Sequence, residues 1–141
     1  MLNLKLLLCA DSNSLDSRSN TISAFHILED FNAASFPVAL PRVTVVAMVD
    51  REETDPSDIE LQLRVYLGDK ELFAGPFALN FAQRLSARAL IEMQGIVVPN
   101  PGVLSFVLLN ADQIFGSWAI RVSQIGQPKI QMQLPQNPIP Q

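Results

Sequence analysis

The chain has 141 residues, the size of one domain, and 48% of them are hydrophobic, enough to build a core without disulfides or structural metal. Ten basic against fourteen acidic residues leave a net charge of −4, which lacks the basic field that nucleic acid demands, and no apolar run reaches the roughly 18 residues of a membrane span. Cys9 is the only cysteine, so an internal disulfide is ruled out and a reducing compartment fits.

Residues 1–10 alternate Leu2, Leu4, Leu6 and Leu8 with Asn3, Lys5 and Leu7, which predicts a strand that starts almost at once. The apolar stretch 6–10 is shorter than the ~7–15 residue core of a secretory signal. Leu8, not a small residue, precedes Cys9, against the pattern of a lipoprotein signal. A cytoplasmic protein is the expectation. A turn-forming cluster at 11–19 leads to a weaker strand at 20–29, and a second cluster spans 30–41.

Residues 42–50 are apolar on both faces, so something should cover the second face of that strand: a partner, a second copy, a helix or the tail. In 59–67, Ile59, Leu61, Leu63, Val65 and Leu67 share one face and Glu60, Gln62, Arg64 and Tyr66 the other, the signature of a half-buried antiparallel strand. Gly68-Asp69 turns it into a return strand at 71–81, disturbed at Gly75-Pro76 by a bulge or an edge position.

The row Leu85, Ala87, Ala89, Ile91, Met93 and Val97 predicts another strand, although 82–94 also admits a short helix. Residues 102–110 are again apolar on both faces. In 113–123, Ile114, Trp118, Ile120 and Val122 form one row, with Trp118 read as core. Residues 126–141 are rich in glutamine and proline, yet Ile130, Met132 and Leu134 alternate with glutamines between Pro128 and Pro135, which predicts a short strand at 129–134 able to pair with a sheet edge of this or another molecule.

About eight short strands without a long helical period predict an all-β, two-layer antiparallel β-sandwich, immunoglobulin-like or jelly-roll-like, over 1–125, followed by the tail. One core should hold Leu61, Leu63, Val65, Ile91, Trp118 and Ile120.

Chemistry-bearing residues are sparse. Asp50, Glu52, Glu53, Asp55 and Asp58 crowd one loop, where carboxylates could serve a calcium ion that wants about six to eight oxygens, with Asp11, Asn13 and Asp16 as further donors. The spacing lacks the glycine and final glutamate of an EF-hand, and Arg51 sits among the carboxylates, so a solvated loop is the plainer reading. His26 is the only histidine, and any Ser-His or Cys-His mechanism would need it; a hydrogen-bonded structural role is expected. One cysteine and one histidine leave no soft or imidazole set for zinc, and no motif asks for a cofactor. Tyr66, on the polar face of its strand, is a surface contact candidate.

Four stretches together resemble a known family: the strand ending in Cys9-Ala10-Asp11, the segment Asn20-x-Ile22-x-Ala24-Phe25, Phe36-Pro37 leading to Arg42, and Gly95-x3-Pro99-x-Pro101-Gly102. It is a family of small bacterial proteins grouped as a domain of unknown function. The resemblance covers about 2–123. It implies a β-sandwich and brings no catalytic residues. The chain carries Leu104 where that family tends to place an aromatic residue.

The expected function is a non-enzymatic interaction or structural module that uses sheet faces or edges, with a protein partner or a homo-oligomer and no nucleic acid. The alternatives are a calcium- or small-ligand-binding sandwich built on the acidic loop, and, more remotely, a carboxylate-dependent hydrolase.

Overall fold

A computed structural model describes residues 1–125. The strand expected at 129–134, with Ile130, Met132 and Leu134, lies outside the described residues. The strands are β1 (Asn3–Asp16), β2 (Thr21–Ile27), β3 (Asp30–Ala33), β4 (Val38–Asp50), β5 (Asp58–Leu67), β6 (Lys70–Asn80), β7 (Ser86–Val98), β8 (Gly102–Asn110) and β9 (Gln113–Gln124). They form two packed sheets, ordered β2-β1-β4-β7 and β3-β9-β8-β5-β6. The antiparallel pairs β4–β7, β5–β8 and β8–β9 are those of an immunoglobulin-like sandwich, which decides between the two topologies expected.

One correction concerns the architecture. The extra strand is β3, inside a stretch read as loop, and it pairs in parallel with β9, so that sheet is mixed rather than purely antiparallel. Segment 82–94 is strand from Ser86 on, as its alternating row predicts, and not the alternative helix.

The period-2 alternation places the core. Leu61, Leu63, Val65 and Ile120 are buried in one cluster, and Ile91 and Trp118 pack against it. Trp118 Nε1 donates to Leu28 O at 2.7 Å, so the indole finds its polar partner while its ring joins the core.

Several residues depart from the rows expected of them, beginning with Leu6 and Leu8, which the irregularity after Leu4 turns to the face opposite Leu2 and Leu4. Ile114 is 73% exposed because the β8–β9 register slips between Leu108 and Leu109, which turns Ile114 outward and lets Phe115 pack on the core in its place. Val97 is 56% exposed because the inward row of β7 changes from Met93 to Ile96 and Val98. Gly95, with φ +70, stands at that change, in a conformation costly for any other residue. Leu85 is exposed because it precedes β7, in the connection from β6.

The second face of β4 is covered by the chain itself. Val46 on β4 and Leu8 and Ala10 on β1 are buried together, with Ile22 and Ala24 of β2 packed on them. The first half of β1 pairs with β4 and the second half with β2. The β1–β2 hairpin thus folds back over the outward face of its own sheet. Its turn is built by Asp16, whose Oδ1 accepts from the amides of Arg18 (3.0 Å) and Ser19 (3.4 Å), and by Asn20 at φ 58. On the other sheet Val103 stays outward and 45% exposed, a singly tolerated apolar residue.

Candidate functional site

Where the hairpin turn overhangs the sheet, a groove of about 730 Å³ opens. Lys5 enters it from the irregularity between Leu4 and Leu6 on β1, Met48 and Asp50 from the end of β4, and Arg88 from the head of β7. The connection from β6 to β7 forms the remaining wall. Phe81 anchors that connection in the core, and Ala82 and Gln83 follow with φ 51 and 66. The Ala82 amide donates to Asn80 Oδ1 at 2.6 Å and the Arg84 amide to Phe81 O at 2.9 Å, so the tight turn presents Arg84 to the groove. Lys5, Arg84 and Arg88 share this groove with one carboxylate, Asp50, whose Oδ1 accepts from Ser86 Oγ at 2.5 Å. Among the described residues none of the three cations forms an ion pair.

Beside the groove runs β7, which among the described residues has no neighbour on its outer edge. Arg51 N donates to Leu85 O at 2.8 Å and Leu28 N to Cys9 O at 2.8 Å. In antiparallel pairing the residues that bond a neighbour alternate with those that face away. Both bonds give the same phase: Ala87, Ala89, Ile91 and Met93 bond β4, and Ser86, Arg88, Leu90, Glu92 and Gln94 point their N–H and C=O groups away from the sheet.

The acidic loop does not gather. Asp50 turns into the groove, Asp58 Oδ1 accepts from Asn80 Nδ2 at 2.6 Å, and Glu52 and Asp55 each lie 2.7 Å from the Met1 ammonium group. Glu53 is exposed. The bond to that ammonium, with the amide of Glu52, holds the Asp55 carboxyl below its ordinary range. Arg51 occupies the loop's centre, donating to Asp55 O at 3.0 Å and Arg84 O at 2.8 Å, with its guanidinium 5.5 Å from the centre of the Phe81 ring. Among the described residues no three metal-ligating side chains come together, so Asp11 and Asp16 do not join the loop either.

His26 lies exposed beside the end of β2, at φ 57, and does not line the groove. Tyr66 is half-buried on the outward face of the second sheet, opposite Ser105. The sequence reading missed Lys5, Arg84 and Arg88. The one local signal was the basic pair around a strand start at 84–88, which no motif distinguishes from a solvated face.

Fold and site together define an immunoglobulin-like β-sandwich with one long open sheet edge and a basic groove at its head. The chain belongs to the family of unknown function DUF6941, which matches residues 5–123. A comparison with curated proteins found no match. Among solved structures the chain is similar to a β-glucosidase from Listeria innocua in complex with isofagomine, at 9% identity and a TM-score of 0.47, over 87% of this chain and 16% of that one. The chain spans only that small share of the enzyme's length, and nothing of the enzyme's activity carries over.

Proposed function

We propose that this protein is a non-enzymatic interaction module that docks a β-strand of a protein partner along the free edge of β7. The reading is carried by the contrast between β7 and the other three sheet edges. Native sheets blunt their edges by shortness, by proline, by bulges or by twist. Here β3 has 4 residues, β2 has 7 and is kinked at His26 beside its end, and β6 carries Pro76 and a register slip opposite Val65 and Tyr66. β7 is 13 residues long, and from Ser86 to Gln94, before its kink at Gly95, it has no proline and no positive φ, and its pairing with β4 runs without a register shift. Its inward side chains Ala87, Ala89, Ile91 and Met93 are only half-buried, as an edge awaiting a neighbour would leave them. Backbone bonds to such a neighbour give affinity, and the alternate side chains give specificity. We place the module in the bacterial cytoplasm, where the lone Cys9 serves as a core residue; burial raises its thiol pKa and keeps it unreactive.

The test uses proline as a backbone probe. Leu90 points its N–H away from β4, so Leu90→Pro removes no bond within the sheet and blocks an added strand. A photo-crosslinking amino acid at position 92 should capture a docked chain, and one at position 117 on β9 should not. The reading requires those adducts to vanish in Leu90→Pro while the thermal midpoint, read at dilution where no docked chain contributes, holds. Adducts that persist in that variant, or none at position 92, would defeat it.

A further inference from the structure

We infer that the strand docked on β7 is β7 of a second copy, in a two-fold antiparallel pair centred on Leu90. This inference rests on the edge reading above and supplies its partner. Residues that face the edge must oppose residues that face the edge, so the even-numbered positions of the two strands meet. Centring the two-fold on Leu90 sets Leu90 against Leu90, Arg88 against Glu92 and Ser86 against Gln94, which uses every edge-facing group from Ser86 to Gln94. On the opposite face Ala89 meets Ile91 and Ala87 meets Met93, a small residue against a large one each time.

The charges select this register. Arg88 and Glu92 lie two places on either side of Leu90 on the same outward face, so the edge is complementary to itself. A shift of the two-fold to Ala89 or to Ile91 sets each charge opposite a neutral residue. Opposite charges directly across a pair are favourable and like charges unfavourable. Arg88 has its Nη2 on Asn20, and Glu92 makes one loose pair with Arg42 at 3.5 Å, both partners half-exposed, so neither charge is consumed within the chain. Leu90 is 37% exposed at the centre. The contact is isologous, as two-fold dimers require, and it merges the two four-stranded sheets into one.

Light scattering on the full chain reads the stoichiometry and cysteine pairs read the register. The mass should be twice the 15.5 kDa of the chain. Opposed residues of such a pair have Cα atoms about 5.5 Å apart, within disulfide range. Leu90→Cys should therefore close a disulfide-linked dimer on mild oxidation. Ser86→Cys or Gln94→Cys alone should not, whereas a mixture of the two should. Glu92→Arg, which sets arginine against Arg88, should weaken dimerisation by about tenfold or more and leave the thermal midpoint unchanged only at dilution, where both proteins are monomers. A dimer that persists in Leu90→Pro, or cysteines that link in another pattern, overturns the inference. A monomer that still gives position-92 adducts to a different protein overturns the second copy and leaves the edge reading standing. A monomer without adducts overturns both.

Discussion

Arg88 of β7 holds the hairpin turn at Asn20: its Nη2 donates to Asn20 O at 2.9 Å and to Asn20 Oδ1 at 2.5 Å. These bonds fasten the β1–β2 hairpin over Leu8, Ala10 and Val46. Arg88→Ala should loosen it at a cost of about 1–2 kcal/mol. Denaturant melts should show the loss, and a dye for exposed apolar surface should bind more strongly than to the native protein. Unchanged dye binding would mean that Ile22 and Ala24 alone keep the hairpin down.

Gly116 faces Leu4 and Leu7 so closely that a Cβ there would collide with the end of the Leu4 side chain. Gly116→Ala should cost about 1–3 kcal/mol by overpacking, and adding Leu4→Ala should recover part of it. A double-mutant cycle without coupling would show that Leu4 simply swings aside.

The Asp16 carboxyl is held below its ordinary range chiefly by the amides of Arg18 and Ser19. The sign follows from that depression. The turn's share of stability is present above the unfolded carboxyl pKa and is lost as pH falls through the folded one. Amide exchange at Arg18 and Ser19 should quicken, relative to neighbouring turns, as pH falls below about 4, and Asp16→Asn should remove the pH dependence.

Calcium should leave the thermal midpoint unchanged up to about millimolar concentration, because a ligand raises it only by binding the native state. The carboxylates of the acidic loop are turned to different partners, the Met1 ammonium, Asn80 and Ser86 among them. A rise in the midpoint at micromolar calcium, lost in Asp55→Asn, would restore the loop as a cation site.

The hairpin β5–β6 was legible because its alternation is uninterrupted and Gly68-Asp69 marks the turn. Leu63→Ala should accordingly cost ~2–5 kcal/mol in chemical denaturation. Ile114→Ala should change stability by no more than about 0.5 kcal/mol, although both residues sat on apolar rows in the sequence. Ile114 and Val97 misled because a one-residue slip, or one residue at positive φ, reverses which side chains face inward, and alternation alone does not show the slip. β3 escaped notice because its 4 residues carry no pattern and its pairing with β9 is wholly tertiary. The groove was illegible for a related reason. Lys5, Arg84 and Arg88 lie far apart in the chain and meet through an irregular strand and a left-handed turn. The open edge of β7 is a fact of strand order, which residue types do not report.

The parallel pairing of β3 with β9 sets Asp30 beside Arg121. During synthesis β3 must wait for nearly the whole described chain before β9, its one neighbour among the described residues, exists. Closing so long a loop is entropically slow, and sandwiches dominated by distant pairings fold on the millisecond-to-second scale. Meanwhile the β1–β2 hairpin and β4 can assemble early, from local contacts, into a partial sheet whose β7 side is still bare. A nascent chain would thus expose an unpaired strand edge for longest at the stage when aggregation is most probable, and chaperone dependence during expression is the consequence to look for.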